Sequence, residues 1–141
     1  MAPLNPNHAV QDNNRNFGTT YPKAASTTFK VGWFIIPDGS GAVIPASGGT
    51  GGLLGISNEA ISSTDADYAT VRPINISEGP SFVEFTVPVT SNGPATSAAV
   101  GQTIDVDSAN AGGVDYSTLG SGTDLLVTAF IDENTLKVKI I

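Results

Sequence analysis

The chain has no cysteine, a single histidine, a single tryptophan and only six basic residues among 141. Each shortage excludes something. Without thiols there is no disulfide scaffold, no thiolate metal site and no cysteine nucleophile. One imidazole does not make a zinc site, and a Ser-His-Asp triad would have to rest on His8 alone. Six Lys and Arg stand against thirteen Asp and Glu, for a net charge of −7. That balance argues against a partner that is nucleic acid. Charged residues are 13% of the chain, about half of the roughly 25% usual for globular domains. A helical bundle or coiled coil would need far more Ala, Glu, Lys and Leu. No run of about 18 apolar residues occurs, so no transmembrane helix and no membrane partner are expected. Residues 1–8 lack the basic and apolar regions of a secretory signal, so synthesis in a host cytoplasm is expected.

What is present points to a β protein. Gly and Pro number 16 and 9, and hydrophobic residues still reach 40%, enough for one domain with a real core. The charge is uneven: residues 1–30 carry +2 and residues 31–141 carry −9. Texture changes near residue 28 as well. Five Asn and three Pro punctuate residues 1–28, among isolated larger side chains. No period of 3.6 or 2 appears there. Such a segment is either a frayed terminus or an extended N-terminal arm that orders on a partner surface. In the second case Leu4, Val10, Arg15, Phe17, Tyr21 and Lys23 are its contact residues.

Residues 29–141 read as strands. Residues 29–36 alternate, with Phe29, Val31, Trp33 and Ile35 on one face. Residues 37–41, Pro-Asp-Gly-Ser-Gly, are a turn. Residues 42–44, 53–56 and 69–76 are further extended runs, with Pro73 confining the last to an edge or a bulge. Val83, Phe85, Val87 and Val89 alternate inward, as do Ile104 and Val106, with Asp105 and Asp107 on the wet side. Residues 125–131 and 135–141 flank a short hairpin connection, with Leu136, Val138 and Ile140 facing the core. The expected fold is all-β: a small β-sandwich or β-barrel of about eight short strands with an extended N-terminal arm.

A search for chemistry returns little. Asp105, Asp107 and Asp115 invite a calcium reading, but Ala109 stands where the next ligand of an EF-hand loop belongs. The run Gly48-Gly49-Thr50-Gly51-Gly52 has no following Lys-Ser/Thr and no helix to cradle a phosphate. Trp33 reads as core more readily than as a sugar platform. The expectation is a protein that is not an enzyme and uses no cofactor and no metal. Its body of small neutral residues lets another surface approach with little side-chain entropy to lose.

The order Lys30-Val31-Gly32-Trp33-Phe34-Ile35-Ile36, Asp38-Gly39, Ala42-Val43-Ile44-Pro45-Ala46, Gly55-Ile56-Ser57-Asn58-Glu59-Ala60 resembles that of tailed-bacteriophage capsid decoration (cement) proteins. The stretches Val100-Gly101-Gln102-Thr103-Ile104-Asp105-Val106-Asp107 and Leu125-Leu126-Val127-Thr128-Ala129-Phe130-Ile131-Asp132 are similar to the closing strands of that family. The resemblance spans residues 29–141 and implies a non-catalytic virion protein on the capsid exterior. Its partner would be the major capsid protein, and its own state a homotrimer. A phage tail or fibre component, or a carbohydrate-binding β module, is the alternative.

Overall fold

The computed structural model describes residues 7–11, 18–80 and 82–141. The fold is all-β, with eleven short strands where about eight were expected. They are β1 (Val10–Gln11), β2 (Gly18–Pro22), β3 (Phe34–Pro37), β4 (Val43–Pro45), β5 (Gly55–Ser57), β6 (Pro73–Glu78), β7 (Glu84–Ser91), β8 (Thr103–Asp107), β9 (Asn110–Asp115), β10 (Leu125–Asp132) and β11 (Thr135–Ile140). Helical structure among the described residues is limited to single 3-10 turns at Ser97–Ala99 and Tyr116–Thr118.

Two assemblies result. The first runs β7-β11-β10-β8-β9 and closes on itself, because β9 also pairs in parallel with β7, so these five strands form a barrel. β1 adds to the outer edge of β7, with Val10 opposite Thr86. The second is an antiparallel sheet in the order β2-β6-β5-β3-β4. A parallel bridge between Lys23 and Val43 ties the end of β2 back to β4.

The barrel core follows the alternation in the sequence. Val83, Phe85 and Val87 are fully buried, as are Leu136, Val138, Leu125, Val127, Ile104 and Val106. The pairings Phe85↔Val138 and Val87↔Leu136 put these residues on one side of the ladder. Phe34 and Ile56, a cross-strand pair of the second sheet, belong to the same cluster. Phe34 meets Phe85 edge to face, ring centroids 5.4 Å apart. This T-shaped contact adds about 0.5–1.5 kcal/mol beyond area burial and fastens sheet to barrel. On the opposite face of the sheet, Ile35, Ile74, Ile76 and Val43 form a second cluster with Phe29 and Ile61.

Four expectations need correction. Residues 29–36 are not one strand. Gly32 takes φ +81° and the Trp33 N–H bonds to the Lys30 carbonyl at 3.1 Å, so a turn precedes β3. Pro73 is neither on an edge strand nor at a bulge. It is the first residue of β6, which lies between β2 and β5, and a missing N–H is tolerated at a strand's first position. Asp107 is buried rather than wet. Finally, the division at residue 28 does not separate an arm from a body. Gly18–Pro22 pairs along its full length with β6, and Val10–Gln11 pairs with β7.

Candidate functional site

The acids singled out from sequence serve the fold. Asp107 Oδ2 accepts hydrogen bonds from the hydroxyls of Thr90 and Ser91, both at 2.6 Å, and its Oδ1 accepts the Ala109 N–H at 2.9 Å. Burial pushes this carboxyl up, but the Ser91, Thr90 and Ala109 donors outweigh it and hold it below the usual carboxylate range. Asp115 Oδ1 accepts from Asn92 Nδ2 at 2.8 Å and from the Ser117 N–H and hydroxyl, and these bonds lower it likewise. Asp105 Oδ1 accepts the Thr123 N–H at 2.7 Å. Among the described residues no group of three or more His, Cys, Asp or Glu side chains is arranged to hold a metal ion.

Asp124 was not anticipated. It is almost fully buried and caps the glycine-rich loop of residues 47–52. One carboxylate oxygen accepts the Gly51 N–H at 2.8 Å. The other accepts Gly49 N–H at 2.9 Å and Val106 N–H at 3.0 Å. A carboxylate facing three backbone donors turns a flexible stretch into a fixed one. Its sequence signal was faint: a lone acid directly before the apolar run of β10.

The expected contact residues have scattered fates. Leu4, Arg15 and Phe17 lie outside the described residues. Val10 is half-buried in β1 against β7. Tyr21 in β2 donates its hydroxyl to Glu78 at 3.1 Å and packs on the second cluster. Burial, then the Glu78 carboxylate, raises its pKa. Lys23 is fully buried, its ammonium donating to the carbonyls of Tyr68 at 3.0 Å and Thr70 at 2.6 Å. It staples residues 62–72 to the end of β2 and presents nothing to an outside surface.

One concave feature brings together residues from separate parts of the chain. A cleft of about 370 Å³ is lined by Asn7, His8, Lys30, Val31, Trp33 and Asn110, where the segment before β1 crosses the turn before β3 and the start of β9. Two glycines shape it. A Cβ on Gly32 would collide with the His8 ring, and one on Gly112 would lie 3.1 Å from Trp33 Cδ1 and 3.3 Å from His8 Cβ. His8 is thus seated between two bare stretches of backbone. Its Nδ1 lies 2.9 Å from the Ala9 carbonyl. A proton on that nitrogen leaves Nε2 as the ring's second polar edge. Lys30 Nζ sits 5.5 Å from the Trp33 ring centroid, in cation–π range. Asn110 Oδ1 accepts the Gly112 N–H at 3.0 Å, which commits that end of the amide and leaves its NH₂. Compared with known proteins, the chain matches no protein-family model and no curated protein sequence.

Proposed function

We propose that this chain is a non-enzymatic structural protein of a bacteriophage virion, a decoration protein that binds the outer surface of the assembled head and stabilises contacts between major capsid protein subunits. The resemblance of residues 29–141 to the decoration family carries the reading. The all-β fold is the one that resemblance implies. The physical chemistry of the surface supports it. The acids that would have to perform chemistry are spent on internal hydrogen bonds. The surface is poor in long charged side chains, with Lys, Arg, Asp and Glu only 13% of the chain. Small neutral loops let two proteins approach with little rotamer entropy lost. On this reading the protein is a homotrimer on the capsid exterior.

The test is co-sedimentation of the purified protein with assembled, expanded heads and, separately, with unassembled capsid protein. Binding to heads and not to unassembled subunits is the expected result, with a copy number in purified virions comparable to the major capsid protein. Equal binding to both, or none to heads, overturns the proposal. Mass measurement in solution should give a trimer.

A further inference from the structure

We infer that the cleft over Trp33 is a binding site for an acidic saccharide, a function separate from shell binding. Three observations converge on it. The first is the pairing of an indole with an ammonium at its face. A pyranose bearing a carboxylate presents the complement: an anion for Lys30, and C–H groups for the part of the half-buried indole left exposed beside it, the ring also packing on the core. The second is the supply of neutral polar groups around this pair. Asn7, Asn110 and His8, which line the cleft, carry amide and imidazole groups suited to sugar hydroxyls, which both donate and accept. The third is preorganisation. Gly32 and Gly112 fix His8 and Trp33 by close backbone approach, and the Asn110 side chain is oriented by its own bond to Gly112. Little ordering remains to be done on binding.

Charge selects the ligand class. Lys23 is buried on two carbonyls, and Arg72 is paired with Asp67 and Glu59. Lys30 is exposed at the cleft, its ammonium over the Trp33 ring and in no hydrogen bond or ion pair among the described residues. One lysine in a chain of net charge −7 suits a single carboxylate. A polyphosphate needs several cations or a nest of backbone N–H groups. A cleft of about 370 Å³ lies at the small end of ligand sites, the size for one or two sugar rings.

Trp33 is the only tryptophan, so its fluorescence reports the site directly. The free protein is titrated with digalacturonate and sialyllactose as acidic probes, with lactose as the neutral probe and tetraglutamate as the acidic peptide. Expected is a saturable change with at least one acidic sugar, with Kd on the order of 0.1–1 mM, and none with lactose or the peptide. Lys30→Met, at an exposed position, should leave the circular-dichroism spectrum unchanged and weaken that binding about tenfold. The absence of a saturable change with both acidic sugars overturns the inference. An equal response to lactose, or a Lys30→Met protein that binds as well as wild type, does so too. A response to tetraglutamate as strong as to the sugars would assign the cleft to acidic polypeptide instead. If Lys30→Met alters the fold, the four wild-type titrations still decide. None of them involves capsid, so failure here leaves the decoration reading standing, and the reverse.

Discussion

Replacing Asp124 tests whether one buried carboxylate holds the glycine-rich loop on the barrel. Asp124→Ala removes the acceptor of three N–H groups. Each hydrogen bond to a charged acceptor contributes about 1.5–3 kcal/mol net, so three set a ceiling of roughly 4.5–9 kcal/mol. The true cost is lower, because the donors differ in where they go. Gly49 is exposed and Gly51 half-buried, so the loop can swing out and give both N–H groups to water. Val106 lies in β8 and is buried; its N–H has no such escape. The expected loss is therefore about 3–5 kcal/mol, one stranded donor plus two weakened anchors and a small void. Asp124→Asn should cost less, about 1–3 kcal/mol. Its amide oxygen can keep Gly49 and Val106, while its NH₂ faces the Gly51 N–H, donor against donor.

The assay is urea unfolding followed by tryptophan fluorescence, combined with amide hydrogen exchange. For a domain of ordinary stability, about 5–15 kcal/mol, the alanine variant shifts the midpoint strongly. Protection of Gly51 should fall in both variants, and that of Gly49 and Val106 in the alanine variant alone. The reasoning is refuted if Asp124→Ala changes stability by less than about 1 kcal/mol, or if the loop amides exchange as in wild type.

Four further outcomes follow from the same contacts. Lys23→Met strands the Tyr68 and Thr70 carbonyls and should lower stability by about 1–3 kcal/mol in thermal melts, while leaving the binding of the folded protein to heads unchanged. Removing residues 2–26 deletes β2 and Lys23 and uncovers Ile74 and Ile76, so circular dichroism should show loss of β structure rather than a clean truncation. Asp107 has a folded pKa below its unfolded value. Its contribution to stability is complete above the unfolded pKa of about 3.9 and is lost as pH falls through the folded value. Asp107→Asn should therefore be less stable at neutral pH yet flatten the acid limb of a Tm-against-pH profile, and an unchanged limb would count against the assignment. Gly32→Ala places a Cβ at φ +81° against His8 and should cost at least about 1–2 kcal/mol by urea unfolding.

Side-chain periodicity made the barrel legible where one face meets the core and the other does not. β7, β8, β10 and β11 are such strands, and Phe85, Ile104, Leu125 and Leu136 carried the signal. It failed where a strand is held by backbone pairing instead. β2, Gly-Thr-Thr-Tyr-Pro, has no apolar stripe, and its place is set by five register pairs with β6. β9 was hidden by Gly112 and Gly113, residues that weaken a strand pattern. Here they are required, because a Cβ on Gly113 would run into the Thr90 side chain. The cleft was illegible for a sharper reason. A strand through residues 29–36 puts Lys30 and Trp33 on opposite faces, whereas the turn at Gly32 brings the ammonium over the ring. A glycine inside an alternating run was the available sign of that break.

The scarcity of positive charge acquires a different meaning once the basic residues are located. From sequence, the surplus of +2 over residues 1–30 suggested a cationic arm reaching for an acidic shell. Lys23 is spent inside the fold, so a third of that segment's cations is withdrawn from any interface. Lys30 belongs to the cleft beside Trp33. Attraction between an arm and a capsid would then rest on Arg15 alone, too little for an interaction steered by charge across a Debye length of about 8 Å at physiological salt. If the protein binds heads, the affinity must come mainly from apolar and backbone contacts. The corresponding measurement is salt dependence: head binding should hold nearly constant between low and moderate ionic strength, while acidic-sugar binding at Lys30 should weaken. A steep loss of head binding with salt would return the electrostatics to the N-terminal segment and refute this division.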